Sequence, residues 1–288
     1  MLSLWFARMA WLLLPVSAGG ALGDALESWS STPARVAAVF LWCAWAIGLV
    51  ALLAPRPWGI TALRIVAPAA ILLTLTSVTS ASAASALLGG STAIVASVFA
   101  LSASVSQAAA NALAYGDEVR FPLRVPVSLL VGLVPLAVVL VGAGVSTGPL
   151  VLADGRFVIG VIATVIGLPV AYAMTRSLHS LARRFLVLVP AGVVVVDPIT
   201  LADPVLMRRE EIAQISRIAN NPPAAEALDL RLGTRSGTIE IVLRAPQSFA
   251  RRKGRHDAAL NDADVVLVST VRTSAFVSAA GGRRIATG

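Results

Sequence analysis

The sequence predicts a membrane bundle of about six α-helices followed by a small, mainly antiparallel β domain with a terminal helix. Of 288 residues, 57% are hydrophobic and 13% charged, with a mean hydropathy of +0.83, a composition outside the range of soluble globular domains. Apolar stretches of membrane-crossing length recur up to Met174, after which charges arrive every few residues. The run Arg176-Ser177-Leu178-His179-Ser180-Leu181-Ala182-Arg183-Arg184 closes the last apolar stretch with three arginines, the bias found at cytoplasmic helix ends. This places the expected boundary between a bundle of residues 1–175 and a cytoplasmic domain of residues 176–288.

Met1 to Leu22 carries Arg8, an apolar core and then Ser17-Ala18-Gly19-Gly20. A cleaved signal fits this pattern, but a retained first helix, with Asp24 and Glu27 outside, keeps the topology consistent to the tail. Val36 to Ala54 gives nineteen uncharged residues, enough to span at 1.5 Å per residue. Pro55-Arg56-Pro57 forces an inner turn, and Ile60 to about Val78 returns outward with Arg64 near the inner face. The chain then becomes rich in Ser and Thr, and Gly89-Gly90 is expected to break it before a fourth helix, Ser91 to Ala109. On that helix Thr92, Ala96, Ala100, Ser104 and Ala108 form a small-residue stripe, suited to close helix packing or to a polar pathway.

Tyr115 to Arg124 is the compact two-sign charge cluster of the membrane half, with Asp117, Glu118, Arg120 and Arg124. It reads either as an ordinary charged connection or as a docking site whose acids face arginines of the tail. Pro126 to Gly142 is the expected fifth span, a polar outer loop runs through Asp154, and Phe157 to Met174 is the sixth. Inner segments hold Arg8, Arg56, Arg64, Arg120 and Arg124, outer ones Arg35 and Arg156, so both termini are expected in the cytoplasm of an inner, plasma-type membrane.

In the tail, Phe185–Val189 and Val193–Val196 flank Pro190-Ala191-Gly192 as a hairpin, closed by Asp197-Pro198. A strand follows near Val205–Met207, and Ile212, Ile215 and Ile218 fit either a strand or a helical turn. Pro222-Pro223 breaks the chain. Leu228–Leu232 and Thr238–Arg244 alternate apolar with polar and are expected to form a second hairpin around Thr234–Gly237. Val265–Val268 is another strand, and Arg272–Ala280 a terminal helix over one end of a curled sheet. Arg251-Arg252-Lys253-Gly254-Arg255 reads as a solvated loop or as a contact for anionic headgroups that weakens with salt.

The net charge of +8 lies mostly in this tail: seven arginines face five acids up to Met174, sixteen basic residues face ten acids beyond it. Proximity to an anionic leaflet accounts for that excess without nucleic acid. Twenty-two of the twenty-three basic residues are arginine, which with the alanine richness points to a high-GC bacterial genome.

The tail's order of hairpin, Ile-containing segment, second hairpin and strand leading to Thr273-Ser274-Ala275-Phe276 resembles bacterial pleckstrin-homology-like (PH-like) domains. The whole chain resembles a family of uncharacterised actinobacterial membrane proteins, through Tyr115–Arg124 and Phe185–Asp197. Neither resemblance implies a catalytic motif.

Catalytic chemistry finds little to stand on. The predicted spans hold no acid for a proton relay, and Cys43, in an apolar run, reads as a buried filler. His179 and His256 lack metal-ligand spacing, and neither a phosphate-cradling glycine loop nor a Gly-x-Ser-x-Gly elbow is present. The chain is therefore expected to be no enzyme and to need no cofactor or metal; an enzyme of membrane lipids would require a polar cluster that the sequence does not display. The leading expectation is an integral membrane protein presenting a non-catalytic PH-like interaction or regulatory domain. The alternative is a small-solute transporter or channel using the Ser/Thr-rich helices 3 and 4. Expected partners are the lipid bilayer, anionic lipid headgroups and an unidentified protein, with homo-oligomerisation left open. The expected interaction residues are Asp117, Glu118, Arg120, Arg124, Arg251, Arg252, Lys253 and Arg255.

Overall fold

The computed structural model describes residues 2–218, 227–254 and 257–288, so the Pro222-Pro223 break, Arg255 and His256 lie outside the described residues. The chain forms two compact units. One holds the residues up to Ala109 with Gly132–His179, the other Ala110–Val131 with Ser180–Gly288. The division expected at 175/176 is thus corrected in one main respect: residues 110–131 belong with the tail. The physical cause is a strand, β1 (Val119–Pro122), which pairs antiparallel with β2 (Phe185–Val189), Phe121 standing opposite Leu186.

The helical elements are α1 (Leu2–Glu27), α2 (Ser31–Leu53), α3 (Pro57–Thr76), α4 (Ala83–Ala100), α5 (Ala103–Asn111), α6 (Val127–Val131), α7 (Leu133–Ala153) and α8 (Phe157–Ala182). Among the described residues six helical stretches are long and apolar enough to cross a membrane: α1, α2, α3 with the turn to Thr79, α4, α6–α7 and α8. Helix α4 corrects the expected fourth span. Gly89-Gly90 lies inside it, because Gly89 packs against α1, where a Cβ would stand 3.0 Å from the Ala18 Cα. The missing side chain lets two backbones approach. The break comes earlier, at Ser80–Ser82, and the Ser82 hydroxyl caps the new helix by accepting from the Ser85 N–H at 3.2 Å.

The expected polar loop before Asp154 is also helix. Gly144 and Gly148 of α7 meet Gly167 and Thr164 of α8, and a Cβ on Gly144 would run into the Gly167 carbonyl. Arg8 closes the end of α2, its Nε donating to the Leu52 carbonyl at 3.1 Å. Cys43 is exposed on α2 rather than buried.

Among the described residues the second unit contains two four-stranded sheets rather than one curled sheet. They use β3 (Gly192–Val196), β4 (Val205–Arg208), β5 (Ile212–Arg217), β6 (Leu228–Asp229), β7 (Thr238–Arg252) and β8 (Ala258–Ser269), and α9 (Thr273–Gly282) follows. The orders are β1-β2-β3-β4 and β5-β7-β8-β6. The hairpin expected between 228–232 and 238–244 does not form: β6 lies parallel to β8, with Leu228 opposite Val266. Alternation matches the burial of Leu228 and Leu230 but not of Arg231, which is buried, or Leu232, which is not, and it carries no information about which strand lies alongside. Left-handed backbone at Leu232, Gly233 and Gly237 turns the chain between β6 and β7.

Both sheets and α9 share one core, with Leu186, Val195 and Met207 from the first sheet and Ile215, Ile241 and Val266 from the second. Phe276 of α9 meets Phe121 of β1 edge-to-face at 5.2 Å between centroids. Strand β2 is apolar throughout because it is buried on both faces, Phe185 and Val187 packing with Ala110. Edges are covered. The Asn111 amide donates to the Arg120 carbonyl at 2.8 Å and accepts from the Arg120 N–H at 2.9 Å, as a neighbouring strand would. The Ile215 N–H of β5 donates to the Ala286 carbonyl at 2.8 Å.

Candidate functional site

Three turns of the sheet unit converge on one charged cleft. The first is Tyr115-Gly116-Asp117-Glu118. Gly116 takes a left-handed φ of 57°, and the Glu118 carboxylate ties the turn by accepting from the Tyr115 N–H at 2.8 Å and from Arg120 Nη2 at 2.6 Å. Partial burial pushes the Glu118 carboxyl up, but these two donors outweigh it and hold the group below the usual range. The closure leaves Tyr115 at the tip, 89% exposed.

The second wall joins the β2–β3 turn, at Pro190, to the residues after β4. Gly192 leaves room for β4, since a Cβ there would strike the Met207 carbonyl. The Arg209 N–H then donates to the Ala191 carbonyl at 2.8 Å, which fixes Arg209 at the cleft.

The third wall is the end of α9. The Arg284 N–H donates to the Gly281 carbonyl at 2.9 Å and the Ile285 N–H to the Ala280 carbonyl at 3.2 Å, a closure that puts Arg284 at a left-handed φ of 61°. Ile285 is buried and anchors the turn. Arg283 reaches across, its Nη2 donating to the Asp117 carbonyl, while its Nη1 is shielded from solvent with no hydrogen-bond partner. The cleft so formed has a volume of about 590 Å³.

The structure therefore brings Asp117 and Glu118 together with arginines of the tail, namely Arg209, Arg283 and Arg284, of which the sequence reading singled out none. Their signal was faint: Arg283-Arg284 follows the apolar face of a helix, and Arg209 sits in a turn. Arg120 is held by Glu118. Arg124 lies elsewhere, its N–H donating to the Ser269 carbonyl at 2.8 Å and its Nε to the Thr270 carbonyl at 3.2 Å, which binds β1's exit to β8.

Arg251, Arg252 and Lys253 do not line the cleft. The expected loop is the end of a long hairpin: Arg251 and Arg252 close β7 opposite Ala259 and Ala258, and the Lys253 N–H donates to the Asp257 carbonyl at 3.0 Å. Arg252 Nε donates to the Leu201 carbonyl at 3.0 Å, so this arginine braces the hairpin.

Two further ion pairs escaped sequence reasoning. Arg184 and Asp197, both buried, form a two-bond pair at 2.9 and 2.7 Å. Arg231 and Asp229 form another, at 2.9 and 2.7 Å. Burial raises the Asp229 carboxyl, but its bonds to Arg231 prevail and hold it below the usual range. Of the histidines, His179 Nδ1 lies 2.9 Å from the Thr61 hydroxyl. No group of three metal-ligating side chains occurs among the described residues.

Six helices of this length and apolarity, with a C-terminal sheet domain, point to a membrane protein. Comparison with protein-family models, curated proteins and solved structures gave no match to this chain.

Proposed function

We propose that the chain is a multi-pass protein of a bacterial plasma membrane, with both termini in the cytoplasm, whose sheet unit is a non-catalytic, PH-like interaction module. The observation that carries this reading is the pairing of β1 with β2. Two apolar helical stretches, α6–α7 and α8, separate these strands in sequence. Two crossings return a chain to the side it left, as one sheet requires. The arginine bias assigns that side to the cytoplasm. Likeness to a PH-like domain rests on the strand order with a closing C-terminal helix, and the role as a binding module rests on a cleft lined by arginines and two carboxylates.

Transport has less support. The hydroxyls of Thr74, Thr76, Ser77, Ser91 and Thr92 each donate to a carbonyl three or four residues back in their own chain, which commits their O–H donors within the helix rather than to a permeating solute.

A reporter inserted in turn after Ser80, Arg124, Gly155 and Gly288 tests the reading. Arg124 and Gly288 are expected to report the cytoplasm, Ser80 and Gly155 the outside. Opposite sides for Arg124 and Gly288 would refute it.

A further inference from the structure

We propose that the cleft between the Tyr115–Glu118 turn, Arg209 and the end of α9 docks an acidic peptide segment of a partner protein. This rests on the reading of the sheet unit as an interaction module and names what the module takes.

Charge is the first argument. Three arginines line the cleft against two acids, and Glu118 is already committed to Arg120. Among the described residues none of Arg209, Arg283 and Arg284 has a carboxylate within 4.0 Å, the reach of an ion pair. The Arg209 and Arg284 side chains stand at the cleft without such a partner and are free to receive a carboxylate. The planar fork of a guanidinium matches a carboxylate with two parallel bonds.

Shape and chemistry together favour a peptide. About 590 Å³ of open cleft exceeds what a single small anion fills and leaves room for an extended ligand. Asp117 offers an acceptor to peptide N–H groups, which a simple anion lacks. Tyr115, exposed at the rim, supplies the aromatic surface that protein contacts favour. Finally, Arg284 occupies a φ of 61°, where glycine is the less strained residue.

The test uses the full chain in phosphatidylcholine nanodiscs, read by fluorescence anisotropy with a fluorescein-labelled hexaglutamate peptide. Binding is expected for hexaglutamate and not for hexaglutamine, to weaken as salt rises, and to fall at least tenfold in Arg209→Glu/Arg284→Glu. Arg284→Gly, which relieves backbone strain while removing the charge, is expected to weaken binding as well, so a loss cannot be ascribed to unfolding. Arg251→Glu, on the hairpin, is expected to bind as the parent does. Undiminished binding in the double variant, or an equal loss in Arg251→Glu, overturns the assignment. So does a cleft that ignores hexaglutamate but binds inorganic phosphate or nanodiscs containing phosphatidylglycerol. If hexaglutamate fails to bind while the Arg124 and Gly288 reporters share a side, only the docking assignment falls; if those reporters lie on opposite sides, the module reading falls first.

Discussion

Arg184 gathers four acceptors from three parts of the chain: both Asp197 oxygens, the Arg124 carbonyl at 3.2 Å and the Leu230 carbonyl at 2.9 Å. Removing one partner of a buried ion pair costs far more than the pair contributes, because the remaining charge is left uncompensated. Arg184→Leu is therefore expected to destabilise the sheet unit by about 3–5 kcal/mol, seen as lost hydrogen-exchange protection in β2 and β3. Arg184→Leu with Asp197→Leu is expected to recover part of that loss. Asp229 gives a pH dependence of known sign. Its folded pKa is depressed, so its contribution is present above the ordinary carboxylate value and disappears as pH falls below about 4. Asp229→Asn is expected to flatten the acid limb of a denaturation profile taken from pH 6 downward. The Arg184–Asp197 pair was not legible in sequence for a definite reason. A cluster of arginines behind an apolar helix gives the same local signal whether its last member faces water or a partner thirteen residues on.

At the end of α9 the backbone closure demands left-handed geometry from Arg284, a conformation that costs a non-glycine residue about 1 kcal/mol. Arg284→Gly is expected to raise stability by somewhat less than this, since one cation near the helix C-terminus is lost; a thermal melt followed at the sheet unit measures it. Strand β1 makes the opposite demand on the chain. Residues 180–288 alone lack it, leaving the β2 edge and one side of Phe276 open. That fragment is expected to aggregate or to exchange its amides rapidly, and fusing residues 110–131 to its N-terminus is expected to restore protection. The element types were largely readable. Long apolar runs marked the helices, and β-branched pairs around Pro190-Ala191-Gly192 marked β2 and β3. What failed were features set by a distant neighbour: Gly89 reads as a breaker until Ala18 lies against it, and β1 reads as a loop until β2 pairs with it. The cleft shared this fate. Its acids were noticed because they cluster in sequence, and its arginines were not because they meet only in space.

Across the whole molecule the chain passes between the two compact units three times, near residues 110, 131 and 180. The sheet unit is thus not an appendage behind a bundle. It is started by a segment between the fourth and fifth apolar stretches and finished by the tail. That order has a consequence during synthesis. Strand β1 leaves the ribosome more than sixty residues before β2, and both α6–α7 and α8 are made in the interval. With both helices inserted, the two strands meet; with one of them skipped, they lie across the bilayer from each other and β2 stays unpaired. Under the proposed topology, closure of this one strand pair thus depends on both insertions, and a misthreaded copy is expected to keep an apolar strand exposed.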